Sequence, residues 1–159
     1  MSNLEQFIGS AKAFSEWCVS VPGDGVAEAR TALALLSRLY TQALSLRLPS
    51  AVKSAFHGER ADDATWYEVF DRSQSLPCNL YSVVFNPHND PSEEPVVCEI
   101  ADDIADVFRD LSEGISLYEE GRFAEAEWAL RFSFQHHWGR HASSAIYALH
   151  CWLDDTANW

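Results

Sequence analysis

Lysine is almost missing from this chain: Lys12 and Lys53 are the two it has in 159 residues. Together with the arginines they make 11 basic side chains against 24 acidic ones, a formal net charge of −13. Nucleic-acid affinity comes chiefly from Lys and Arg contacts to phosphate. With no basic run present, DNA, RNA and anionic membranes are not expected partners, whereas a basic protein is permitted. Long apolar runs are missing as well; none approaches the roughly 18 residues of a membrane helix. The N-terminus, Met1-Ser2-Asn3-Leu4-Glu5, has neither the basic region nor the apolar stretch of a secretion signal. Cysteine is sparse and scattered, at Cys18, Cys78, Cys98 and Cys151. No C-x-x-C pair exists, which argues against a zinc ribbon or a thioredoxin-type site. The expectation is a reducing cytoplasm, with the cysteines as buried small hydrophobes. A G-x-S-x-G elbow is absent, and Pro22-Gly23-Asp24-Gly25 lacks the lysine and serine of a phosphate loop. No catalytic residue is assigned on these grounds.

What is present is apolar and aromatic: 47% of the chain is hydrophobic, and Phe, Trp and Tyr make up 13% of it. A chain of this length buries roughly two-thirds of the surface it exposes when unfolded, so one core is affordable without staples. The expected fold is mainly α, a compact bundle of about five to six helices in a single domain over residues 1–159. Leu4, Phe7, Ile8, Ala11, Phe14, Cys18 and Val21 make the first helical stripe. Asp24 is placed to cap a second helix over 26–47 that Pro49 ends. Residues 51–56 read as a helical turn, and Asp62 and Asp63 open a short helix carrying Trp66, Tyr67, Val69 and Phe70. Leu80 to Phe85 is the one strand-like run, with 95–98 as its candidate partner and a turn-rich loop over 86–91 between them. Ile100, Ile104, Val107, Phe108, Leu111, Ile115 and Tyr118 form a clear 3.6-residue stripe. Gly121 suits a left-handed cap. A further helix starts near Phe123, Gly139 marks a kink or short break, and a last run carries Ala142, Ala145, Ile146, Leu149, Trp152 and Leu153.

Two groups of residues carry candidate chemistry. Glu99, Asp103, Asp106 and Asp110 recur at steps of four, three and four, which lines carboxylates along one side of a helix. They read either as a solvated face or as an oxygen-rich edge for a divalent cation or a basic partner. The second group is His136-His137-Trp138-Gly139-Arg140-His141. His137 and His141 lie four apart, a spacing that zinc helices use. Trp138 stands where H-E-x-x-H has its glutamate, so that hydrolase motif is absent. The plainer reading is two rings hydrogen-bonded within a packed helix pair. A tight turn at Gly121 would fold the two helices antiparallel and bring the Asp103 end of one to the His137 end of the other. Asp103 or Asp106 would then meet His137 or His141 as a metal site, an acid–base pair or a lock between helices.

The segments Asp102-Asp103-Ile104-Ala105-Asp106-Val107-Phe108-Arg109-Asp110-Leu111, Glu125-Ala126-Glu127-Trp128 and His137-Trp138-Gly139-Arg140-His141-Ala142 resemble a bacterial family labelled DUF5063. Tyr81 to Pro87 is similar to its central region, with Leu80 in place of a first tyrosine. The resemblance is clearest over 100–150. It implies an intracellular bacterial helical protein and supplies no activity. The motif residues it points to are Asp103, Asp106, Arg109, Asp110, Trp128, His137, Trp138, Gly139 and His141. Gly114, Leu117, Gly121 and Ala126 also resemble part of one tetratricopeptide repeat, a single copy where an array needs about three.

Three readings of function stand. The first is a non-enzymatic interaction module that binds a protein partner and needs no cofactor, with Trp17 or Trp159 as exposed anchors. The second is a metal-binding protein or metal-dependent hydrolase using Asp103, Asp106, Asp110, His137 and His141. The third is an acidic immunity- or inhibitor-type protein that neutralises a basic partner.

Overall fold

Each of the first three helices begins where a side chain takes up its free amides. Ser2 and Glu5 form a reciprocal capping box on α1 (Asn3–Cys18). Asp24 accepts from Ala27 to cap α2 (Gly25–Ala43), and Asp62 accepts from Thr65 to cap α3 (Asp63–Ser73). The structure, a computed structural model, describes residues 2–49, 58–88, 92–157 and 159. The helical turn expected over 51–56, and the 89–91 part of the loop expected over 86–91, lie outside the described residues.

The two strand-like runs pair with each other. β1 (Leu80–Val83) and β2 (Val96–Glu99) form an antiparallel two-stranded sheet in which Leu80 faces Glu99 and Val83 faces Val96. The sheet is joined to the next helix, α4 (Ile100–Glu119), by Asn79. Its carbonyl accepts from Ile100 N–H at 2.8 Å and its side-chain Oδ1 from Ala101 N–H at 2.9 Å. Glu99 gives α4 no side-chain cap, so Asn79 does that work from just ahead of β1.

α4 closes in a Schellman turn. Gly121 sits at φ +77°, Arg122 N–H returns to the Leu117 carbonyl and Gly121 N–H to that of Tyr118, both at 3.0 Å. The chain then runs back antiparallel as α5 (Phe123–Ser133). At Gly114 the two helices come so close that a Cβ there would overlap the Leu130 side chain. α5 continues without a break through a π-helical turn, Phe134–Trp138, into α6 (Gly139–Asp155). Gly139 N–H bonds the Phe134 carbonyl five residues back, and a Cβ on Gly139 would strike that same carbonyl and the Phe134 ring. The irregularity expected at Gly139 is therefore a widened turn inside one long helix, so the six α-helices form five rods.

α4 is the central element and packs against α1, α3, α5 and α6; α2 lies on α1 and α6. Trp138 is fully buried between Phe7 and Phe134, with its indole Nε1 donating to the Leu130 carbonyl. Four expectations change. α1 ends at Cys18, so Val21 falls outside its stripe and is 90% exposed. α2 ends at Ala43 instead of continuing to Arg47, because the chain turns through Ser45 and Leu46; the Ala43 carbonyl accepts from Leu46 N–H at 3.2 Å and from Arg131 at 2.8 Å. Trp17 is no exposed anchor: it lies under the Arg72 guanidinium and donates to Glu28. Among the cysteines Cys18 is buried, while Cys78, Cys98 and Cys151 are partly exposed.

Candidate metal centre

The α4–α5 hairpin and the π turn decide what meets what. Running antiparallel from Gly121, they set residues 103–110 beside residues 137–141. His141 Nδ1 lies 2.7 Å from Asp103 Oδ1, and His137 Nδ1 lies 2.8 Å from Asp110 Oδ2. Asp106 stands between the two rings, its Oδ2 3.4 Å from His141 Nε2 and 3.8 Å from His137 Nε2. The rings meet edge to face with centroids 4.8 Å apart. Asp103 and Asp110 are only 4% and 7% exposed, so the acidic stripe is not a solvated face at those two positions. Glu99 does not join it; its side chain accepts from Asn79 near the end of the sheet.

Each carboxylate is pinned by a donor from a different segment. Tyr81 on β1 donates its hydroxyl to Asp103 Oδ2 at 2.6 Å. Arg60, just before α3, donates to Asp110 Oδ1 at 2.6 Å. Trp66 on α3 donates its indole N–H to Asp106 Oδ1 at 2.8 Å. Trp66 is itself held between Phe70, stacked at 5.2 Å, and the Arg109 guanidinium, 5.4 Å from its ring centre. Arg109 pairs with Asp63 at 2.9 Å and not with the aspartates of its own helix. Trp128 takes no part; it stacks on Phe132, which stacks on His136, along α5.

The hydrogen-bond pattern sets the protonation logic. An ionised carboxylate only accepts, so in both pairs Nδ1 carries the hydrogen, and a neutral ring then presents a bare lone pair at Nε2. Both Nε2 atoms lie near Asp106 Oδ2, at 3.8 and 3.4 Å, and His137, His141 and Asp106 each offer a ligand atom within 4.8 Å of the others. Three lone pairs aimed at one space repel unless a cation or a proton sits among them. The titration directions agree. Asp110 bonded to His137 is the main cause that lifts that ring above its ordinary value. At His141 burial pulls down, but the Asp103 bond and the charges of Asp103, Asp106 and Asp102 outweigh it and the net shift is up. Burial pushes Asp103 above the usual carboxylate range against the bonds from His141 and Tyr81. Burial, then the Asp103 bond, sends the Tyr81 phenol well up, so it stays a donor.

A second grouping, Asp102 with Asp103 and His141, offers less. Asp103 has both oxygens engaged there, by His141 and Tyr81. Residue spacing brings the aspartates and histidines together but gives no sign that Arg60, Trp66 and Tyr81 are their partners. Tyr81 alone had a signal, lying on the one strand-like run.

The model of a family described as a domain of unknown function, DUF5063, matches residues 1–154. The chain belongs to that family. Membership thus covers nearly the whole chain, beyond the stretch 100–150 where the resemblance was clearest. Of solved structures, the crystal structure of protein BF1032 from Bacteroides fragilis superposes on this DUF5063 chain with a TM-score of 0.76. The match covers 94% of this chain and 90% of that one at 17% identity, so what the two share is a fold. No curated protein matches the chain. Among the described residues, no helix is long and apolar enough to cross a membrane.

Proposed function

We propose that this protein binds one divalent transition-metal ion through His137 Nε2, His141 Nε2 and Asp106 Oδ2. The observation that carries the reading is the convergence of three lone-pair atoms whose other sides are all tied down. Metal-ligating histidines regularly give their second nitrogen to a carboxylate, which fixes the tautomer and the ring orientation. Asp103 and Asp110 have that role here, which takes them out of the ligand set and leaves Asp106 as the ligating carboxylate. Two imidazoles and one carboxylate suit zinc, iron, manganese or cobalt better than calcium or magnesium, which prefer oxygen.

The test is the metal content of untagged protein purified without chelator, by elemental mass spectrometry. About one ion per chain is expected. It should be lost in a His137→Ala/His141→Ala double variant that keeps its helical circular dichroism. Protein with no metal, and no thermal shift on adding zinc, manganese, cobalt or ferrous iron, would sink the reading.

The interaction-module reading has a separate support, the column of stacked rings Trp128, Phe132 and His136 along α5, in which Phe132 is 41% exposed. A module that works independently of the ion would keep its partner after the metal is stripped.

A further inference from the structure

Resting on the metal reading, we infer that the bound ion keeps adjacent coordination positions open and takes a small bidentate oxygen ligand of low charge. The first argument is supply. Asp103 has both oxygens engaged, by His141 and Tyr81, and Asp110 both of its own, by His137 and Arg60. Asp106 could grip an ion with two oxygens, but Trp66 Nε1 holds Oδ1 at 2.8 Å and leaves Oδ2 alone to ligate. Three protein atoms remain. Iron, manganese and cobalt commonly take six ligands, and zinc four or five at reacting centres, so positions are left for an outside ligand.

The second argument is direction. Two neighbouring ligands about 2.1 Å from one ion lie roughly 3.0–3.4 Å apart. Asp106 Oδ2 is 3.4 Å from one Nε2 and 3.8 Å from the other, close to that spacing. Each Nε2 therefore sits beside Asp106 Oδ2 and not across an ion from it. The site is reached from solvent: the His137 side chain is 46% exposed, and those of His141 and Asp106 are 24% and 21%. A pair of open positions side by side fits a ligand with two neighbouring oxygens.

The third argument is charge. Asp102, Asp103, Asp106 and Asp110 surround the rings, and among the described residues Arg60 is the cation bonded to this set. A divalent ion and Arg60 together leave the four carboxylates in excess by one charge. A phosphate dianion is repelled there, whereas a hydroxamate or a vicinal carbonyl–hydroxyl group chelates with one negative charge or none.

Cobalt(II)-loaded full-length protein tests this by visible absorption. Acetohydroxamate should change the cobalt bands saturably at one ligand per ion, with cobalt still on the protein after gel filtration. Inorganic phosphate at the same concentration should leave them unchanged. Trp66→Phe should retain cobalt yet bind acetohydroxamate about tenfold more weakly, because the freed Oδ1 takes one open position. Stoichiometric cobalt whose spectrum ignores acetohydroxamate, or cobalt stripped by it, overturns the open centre and leaves the metal reading standing. A phosphate response equal to that of acetohydroxamate overturns the charge selection. Failure of folded protein to take up cobalt overturns the metal reading itself.

Discussion

At the α1–α2–α3 end of the bundle, Glu28 and Arg72 form an ion pair at 2.6 Å with side chains 11% and 9% exposed. Glu28 Oε1 also accepts from Gly23 N–H, and Oε2 from the Trp17 indole. Arg72 donates to the Ser20 carbonyl and covers the Trp17 ring at 4.3 Å, with Nη1 the one nitrogen that lacks a partner. At the α4–α6 end, Asp103, Asp110, His137 and His141 are paired just as tightly, but that network finishes on three acceptors that face each other. Similar residue types thus do two jobs. The first network spends its acceptors on donors already in the chain and fixes where three helices sit. The second spends its donors on orienting its acceptors, and so leaves a gap of the right sign for a cation.

That contrast can be broken in three places. Glu28→Ala should cost about 3–5 kcal/mol of stability, because it strands a buried guanidinium. Its metal uptake should not change, as read by urea unfolding beside elemental analysis; a loss of less than about 1 kcal/mol would mean the first network is not a structural lock. Asp103→Asn should weaken metal affinity about 10–100-fold, since the His141 ring loses its charged anchor. Isothermal titration with zinc reads this, and unchanged affinity would place Asp103 with the structural residues instead.

The smallest effect is on pH. Both imidazoles titrate above their ordinary value in the folded protein, so the fold holds their protons to higher pH than the unfolded chain does. In chelator-treated protein the stabilisation present below about pH 6.5 should therefore fade as pH rises through the raised values. Melting a few degrees lower at pH 8.5 than at pH 6 is expected, read by differential scanning fluorimetry. Added metal should act in the opposite sense, stabilising more at pH 8.5 than at pH 6, because it competes with protons for Nε2. A flat profile with and without metal would show that the two rings are not linked to the fold.

The helices were legible because their signals are local. The apolar stripes of α1 and α4, the caps Asp24 and Asp62, and the left-handed Gly121 each lie within a turn of what they control. That Asp103 or Asp106 would meet His137 or His141 was legible for a related reason, one tight turn and two counted helix lengths; the pairing of Asp110 with His137 was not. Arg60, Trp66 and Tyr81 were not, because they reach their carboxylates across 50, 40 and 22 residues, through the docking of α3 and the sheet on α4. The roles within the aspartate stripe were hidden as well. Steps of four and three put Asp103, Asp106 and Asp110 on one side of a helix, but which of them turns inward depends on where the neighbours pack. The π turn did leave a trace. Ala126, Leu130, Phe134, Trp138 and Ala142 are all buried at successive steps of four. Such a run covers 16 residues where four α-helical turns need about 14.4, and a straight α-helix would carry its last member off the buried face.

The π turn at Phe134–Trp138 works like a washer slipped onto a shaft. The extra residue retards everything after it by about a hundred degrees, so α5 and α6 are one rod with two settings of the same screw. Losing one residue from that turn would restore a plain α-helix and leave every side chain of both helices intact. Yet it would swing His141 away from Asp103 while His137 stayed nearer its place. The centre's two halves are therefore timed to each other by the length of one turn.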